Sequence, residues 1–264
     1  MEYREHKTDS IDDSKLQRYS RQIIFEKIGI DNQKKLFNAH AAIIGLGALG
    51  SVIANNLCRA GVGRLRLIDQ DIVDISNLPR QVLFNEEDAA ARRPKAEAAF
   101  NHLSKINSEA VLEPVVVHAD PSNIEELIKD TDIVLDGSDN MEVRFIINET
   151  CHRLNIPWVF GGVLGSGGNS MTIIPGEGPC LRCFIPFTHP PGVLPTCADF
   201  GVLNMVTGII ASLESVEALK ILTGSPDINR KIFVVDIWNN TVEYLELLKD
   251  PGCPVCGRAG KQNS

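Results

Sequence analysis

Apolar and polar positions along the chain follow two rhythms. Ala41-Ala42-Ile43-Ile44 is a short apolar run with no polar face, and Leu65-Arg66-Leu67-Ile68, the segment 111–117, Ile133–Asp136 and Trp158-Val159-Phe160 repeat the theme. Runs this short and this apolar predict parallel strands buried on both faces. Between them, the stretches following Gly50 to about 60, and near 94–106, 121–129 and 140–154, carry the period of amphipathic helices. Upstream, Ser14 is placed to cap a helix through Lys15 to Ile24, ending near Gly29, and a second helix is expected over about 31–38. Repeated βα units of this kind predict a parallel sheet covered on both sides.

The rhythm changes after Gly161. Gly165-Ser166-Gly167-Gly168 punctuates the chain, 169–174 alternates like an antiparallel strand, and 175–200 holds six prolines and reads as loop. A long helix is expected at about 201–223, then strands at 232–235 and 242–247. The fold class that emerges is α/β. A Rossmann-like nucleotide-binding half with parallel strands (14–160) continues through antiparallel strands into one sheet (161–257). At a typical ~150 residues per domain, 264 residues allow one large domain or two small ones; the continuous pattern favours a single unit over 1–264.

Composition narrows the function. A net charge of −8 argues against a general nucleic-acid binder, so no nucleic-acid partner is expected, and an acidic protein partner would need a local basic patch. The first fifteen residues hold eight charges and no apolar stretch, so no signal peptide is expected. The longest nearly apolar stretch, 41–54, is broken by glycines and shorter than the roughly 18 residues of a span. The expectation is a cytoplasmic chain without membrane contact, whose thiols stay reduced.

Gly45, Gly47 and Gly50 form a Gly-x-Gly-x-x-Gly loop between a predicted strand and a predicted helix. That context offers a tight turn and a helix N-terminus facing phosphate. Asp69, 19 residues past Gly50, is placed to accept from a ribose hydroxyl. Read alone, the loop suits NAD or FAD about as well as ATP. The residues downstream separate the two: Asp69, Asp71, Ser76, Asn77, Arg80 and Gln81 lie just beyond the ribose position, and Arg92-Arg93-Pro94-Lys95 opens the next helix. Hydride transfer needs no arginine there, whereas a triphosphate does. The segment 136–140 closes the strand that starts at Ile133 and puts Asp139 at the sheet's carboxyl edge, where a carboxylate facing triphosphate usually holds Mg²⁺. The implied reaction class is adenylyl transfer.

The seven cysteines include two Cys-x-x-Cys pairs, Cys180/Cys183 and Cys253/Cys256, separated by 69 residues. Two such knuckles complete a Cys₄ zinc site that would staple the C-terminus, although two redox dithiols or a chance pattern produce the same spacing. Cys58 and Cys151 fall in predicted helices and read as core residues. Cys197 precedes the long helix, where it is either a functional thiol or a loop residue without a role.

Arg18-Tyr19-Ser20-Arg21-Gln22, the Gly45 loop, Asp69 to Gln81, Pro94-Lys95, Ser138-Asp139-Asn140, both cysteine pairs and Thr196-Cys197 run in the order of the MoeB/ThiF family, bacterial relatives of ubiquitin-activating enzymes. The resemblance spans about residues 16–257. It implies ATP-dependent adenylation of the C-terminal Gly-Gly of a ubiquitin-fold sulfur-carrier protein for a molybdopterin, thiamine or related thiolation pathway. It gives Gly45, Gly47 and Gly50 to the nucleotide loop, Asp69 to the ribose, Asn77, Arg80 and Lys95 to phosphate, and Asp139 to magnesium. Arg21 resembles an arginine that reaches the triphosphate from the other subunit of a homodimer, and Cys197 a thiol that can take part in carrier or sulfur transfer. Sulfur would come from a separate sulfurtransferase or cysteine desulfurase. The chain departs from the pattern at Arg92-Arg93 and Ala48, neither of which removes a catalytic group. Within the same fold, another carboxylate could be the substrate, such as a peptide C-terminus or a tRNA threonylcarbamoyl group; a nicotinamide-dependent oxidoreductase is the remoter alternative.

Overall fold

The computed structural model describes residues 13–186 and 200–257. Its strands are β1 (His40–Ile44), β2 (Arg64–Ile68), β3 (Val111–Val115), β4 (Ile133–Asp136), β5 (Trp158–Leu164), β6 (Gly167–Ile173), β7 (Ile232–Asp236) and β8 (Thr241–Leu245). They form one sheet in the order β3-β2-β1-β4-β5-β6-β7-β8. Neighbours from β3 to β5 are parallel and those from β5 to β8 antiparallel. Pro114 lies in β3, an edge strand, where the missing N–H costs no ladder bond on the open side.

The continuous apolar runs are explained by two cores, one on each face. Ile43, Leu65, Leu67, Leu135 and Val159 pack with α4 (Ala48–Ala60), α6 (Lys95–Ile106) and α10 (Asn204–Thr223). Ala42, Ile44, Ile68, Val134 and Trp158 point the other way, onto α7 (Ile124–Ile128) and α8 (Met141–Leu154). Successive residues of one strand thus enter opposite cores.

Several boundaries differ from the sequence expectation. The N-terminal helix is two pieces, α1 (Asp13–Arg18) and α2 (Ser20–Ile23), ahead of α3 (Gly29–Asn38). The strand expected to stop at Phe160 runs to Leu164 because Gly161 and Gly162 pair with Ser170 and Asn169 of β6. The turn is therefore Gly165-Ser166, with Gly165 at φ +60°. Two short helices were not foreseen. Asn85 and Asp88 form a reciprocal capping box on α5 (Glu86–Ala90), and α9 (Leu181–Phe184) begins just after Cys180 in the proline-rich stretch.

Candidate functional site

The carboxyl ends of β2, β1 and β4 lie side by side. From β1 the chain passes to β2 on one side and later to β4 on the other, which leaves a crevice at this switch point. The glycine loop fills it. Gly45 has φ +87°, and a Cβ there would lie 2.7 Å from the Gly137 carbonyl carbon. A Cβ on Gly50 would lie 1.8 Å from Gly45 O, and one on Gly137 would lie 2.1 Å from the same oxygen. These three glycines let the loop after β1 touch the loop after β4. Gly47, which caps α4, has its nearest non-neighbour at 3.8 Å, so internal packing does not require a glycine there.

Asp69 is buried at the end of β2. Its carboxylate accepts from the amides of Leu46 (2.6 Å) and Asp71 (2.7 Å), tying the glycine loop to the loop after β2. Burial pushes this carboxyl up, while Lys95 and the two amides pull it back. Lys95 opens α6 and is buried; its Nζ donates to Asp71 Oδ2 at 2.9 Å, and its amide donates to Asp71 O at 2.8 Å. Asp71 is itself exposed. Beyond it, Asp74 and Asn77 cap a single 3₁₀ turn (Ile75–Asn77) reciprocally. Arg80 Nη1 donates to Ser76 O at 2.9 Å. Gln81 is buried beside Gly47 with its Oε1 unpartnered among the described residues. Asp139 stands exposed past the end of β4. The glycine loop, Asp69, Asp71 and Lys95 are thus joined at one crevice, a combination suited to a nucleotide, while Arg80 and Asp139 lie on the loops that follow β2 and β4.

Arg21 is not brought to this crevice within its own chain. It is exposed on α2, and its neighbour Gln22 donates to Ala60 O at 2.9 Å. Ala60 ends α4, whose first turn holds the glycine loop; 13 residues at 1.5 Å each separate the two ends by about 20 Å. Cys197 lies outside the described residues.

Sequence reasoning missed a buried ionic cluster beneath the loop after β4, formed by Asp136, Arg144 and Glu214. Arg144 Nε donates to Asp136 Oδ2 at 2.8 Å. Both Glu214 carboxylate oxygens are buried without a hydrogen-bond partner among the described residues. Charged residues in helical segments look solvent-facing in a sequence. The one local signal was Gly161, where a Cβ would meet Glu214 Oε1 at 2.0 Å.

The four paired cysteines come together, all Sγ atoms within 4.8 Å of one another. Cys180 Sγ lies 3.6 Å from Cys253 Sγ, and Cys183 Sγ lies 3.4 Å from Cys256 Sγ. Four sulfurs at about 2.3 Å from a tetrahedral ion stand about 3.8 Å apart, so the cluster is compatible with zinc. The Asp250 amide donates to Cys183 Sγ at 3.5 Å, and Asn148 on α8 holds the first knuckle by accepting from the Leu181 amide. The hydrogen bond from Cys256 pulls the Cys180 thiol down to about 5, and Cys256 is pushed up in turn. Cys58 and Cys151 are buried apart from this cluster, and burial raises both thiols.

Among the described residues no helix is long and apolar enough to cross a membrane. The sequence matches the ThiF family over residues 19–255. It is 35% identical over 254 residues to the SAMP-activating enzyme E1 of Haloferax volcanii, covering 96% of this chain and 93% of that protein. It is 40% identical over 242 residues to the sulfur carrier protein ThiS adenylyltransferase of Bacillus subtilis, covering 91% and 71%. The fold matches the crystal structure of Escherichia coli MccB with a TM-score of 0.80 at 23% identity, over 94% of this chain and 74% of that one.

Proposed function

The chain belongs to the ThiF family, and from that premise we propose that it is an ATP-dependent adenylyltransferase activating the C-terminal Gly-Gly carboxylate of a ubiquitin-like sulfur carrier. The observation that carries this reading is the crevice itself. The glycine loop, Asp69, Asp71 and Lys95 are linked by direct hydrogen bonds.

The chemistry asks for little covalent work by the protein. The carrier carboxylate is already a nucleophile; its oxygen forms a bond to the α-phosphorus while the bond to the bridging oxygen of pyrophosphate breaks. The products are carrier acyl-adenylate and pyrophosphate, and catalysis reduces to in-line positioning and neutralisation of the departing charge. We assign Gly45, Gly47 and Gly50 to the phosphate loop and Asp69 to the ribose. Asn77, Arg80 and Lys95 take the phosphates, Lys95 being held ready by Asp71. Asp139 would hold Mg²⁺, which would supply charge neutralisation on the phosphate oxygens. The four cysteines would hold a structural Zn²⁺, and the coordination is complete without an open position.

A homodimer completes this reading. The α10 helix is apolar on nearly every side. Its exposed Met205, Ile209 and Val216 border an open groove of about 630 Å³ that reaches Phe233 of β7. A second copy covering that face would let Arg21 act in its neighbour's crevice. Carrier docking falls to the 161–257 half, where the edge strand β8 and its approach expose Trp238, Val242 and Tyr244. Cys197 remains a candidate thiol for later sulfur chemistry with a separate sulfur donor. We place the protein in the cytoplasm, where thiols stay reduced and open to metal.

Pyrophosphate exchange measured against a panel of carriers ending in Gly-Gly tests the proposal. Exchange should appear with at least one carrier and vanish in Asp139→Ala and Arg80→Ala proteins that still fold. Full exchange in both variants refutes the residue roles, and thermal stabilisation by NAD but not by MgATP refutes the reaction class.

A further inference from the structure

Asp139 has no side-chain hydrogen bond of its own among the described residues, yet both of its flanks are fixed. On one side Asp136 Oδ1 accepts from the Ser138 amide (2.9 Å) and from Ser138 Oγ (2.6 Å). On the other, Asn140 Oδ1 caps α8 by accepting from the Glu142 amide at 2.8 Å. A single guanidinium closes this frame. Arg144, one turn into α8, donates through Nε to Asp136 Oδ2 (2.8 Å) and through Nη2 to both Ser138 O (2.7 Å) and Gly161 O (2.8 Å). Its Cζ lies 5.1 Å from the centre of the Phe160 ring.

We propose that Arg144 is a positioning residue for the adenylation reaction, clamping the Ser138–Asp139 loop to β4 and β5 so that the Asp139 carboxylate faces the crevice. This rests on the assignment of Asp139 to the magnesium–nucleotide complex. Three strands of argument support the clamp. The arginine side chain is only 10% exposed, and a buried ion pair contributes little net stability compared with a well-packed apolar pair, so its value lies in the geometry it imposes. The fork reaches three elements at once, which a point charge on a flexible stem cannot do. Backbone packing of Gly137 on Gly45 and Gly50 holds the glycine loop without the guanidinium, so losing Arg144 frees Asp139 rather than the phosphate loop. Glu214 is the third ionisable group facing this cluster. It lies against Gly161 from α10, and burial pushes its carboxyl well above the ordinary value.

The test is the affinity for ATP with and without Mg²⁺, measured by calorimetry on the full chain without any carrier. Wild type should bind ATP more tightly when Mg²⁺ is present, and Asp139→Ala should lose that increment. Arg144→Gln should lose about tenfold or more of it, with metal-free ATP affinity little changed. Arg144→Lys should recover only part, and should be read instead if the glutamine variant fails to fold. The Arg144→Gln/Asp139→Ala double variant should be no worse than Asp139→Ala alone. A folded Arg144 variant with the full increment overturns the positioning role, as does equal weakening of metal-free ATP or additive loss in the double variant. If Asp139→Ala keeps the increment, the Asp139 assignment fails and the role of Arg144 falls with it; that result is distinct from failure of Arg144 alone.

Discussion

At the scale of single residues, the three glycines of the loop have different reasons to be glycine. A methyl group added to Gly45 or Gly50 would meet backbone atoms within 2.8 Å, whereas one on Gly47 would meet ordinary space. Gly45→Ala and Gly50→Ala should therefore unfold the protein or lower its melting temperature steeply. Gly47→Ala should fold normally and weaken ATP binding by about tenfold, through lost close approach to phosphate. Calorimetry and thermal melts separate the two classes, and normal ATP affinity in Gly47→Ala would remove that residue from the site. Glu214 makes a different prediction. Burial pushes its carboxyl well above its ordinary value, with Asp136 adding to the effect and Arg144 opposing it. The folded state keeps a proton that the unfolded chain releases above about pH 4.3. Stability then falls as pH rises, by about 1.4 kcal/mol per pH unit, until the folded group ionises. Glu214→Gln removes this titration, so its advantage over wild type in urea unfolding should grow from pH 5 to pH 8. A difference that stays flat across that range would mean Glu214 is ionised in the fold. The sequence hid this residue because a glutamate in a helical stretch is read as solvent-facing. The glycine loop was legible because its chemistry lies in consecutive residues.

At the scale of elements, strand and helix cores were readable wherever periodicity was strong, and their ends were not. β5 passes through Gly161 and Gly162, whose low strand propensity is overruled by seven paired positions with β6. Conversely, α9 is only four residues long and is fixed by tertiary contacts, chiefly Asn148 and the cysteine cluster, rather than by its own sequence. The spacing of the two knuckles led to the expectation of one four-cysteine site, and the fold brings them together across 69 residues. If zinc joins them, Cys253→Ser should lower bound zinc from about one per chain to near zero. It should also expose the segment after β8 to protease and lower the melting temperature by several degrees. Wild-type zinc content in that variant would show that the cluster does not hold the metal. ATP affinity should change little, because the cysteines lie beyond β5 and α8 from the glycine loop.

At the scale of the whole molecule, the remaining difficulty is Arg21. The motif around it was plain in the sequence, and the resemblance implied action across a dimer, but the separation of about 20 Å that α4 puts between Arg21 and its own crevice is visible only in the fold. In the proposed homodimer a second copy would cover the apolar α10 face and supply its Arg21 to the neighbouring crevice. This arrangement has two independent consequences. If the proposed homodimer forms through that face, Met205→Arg or Ile209→Glu, on exposed positions of it, should leave a folded monomer in sedimentation and should abolish pyrophosphate exchange. Mixing inactive Arg21→Ala and inactive Asp139→Ala subunits through reversible dissociation should restore activity. Random pairing makes about half of the dimers mixed, each with one complete site, so recovery should approach about a quarter of wild type. If Arg21 worked within its own chain, every site in the mixture would lack one group and no activity would return. Recovery with the monomeric variants would contradict the dimer instead, because complementation needs the α10 face to be covered.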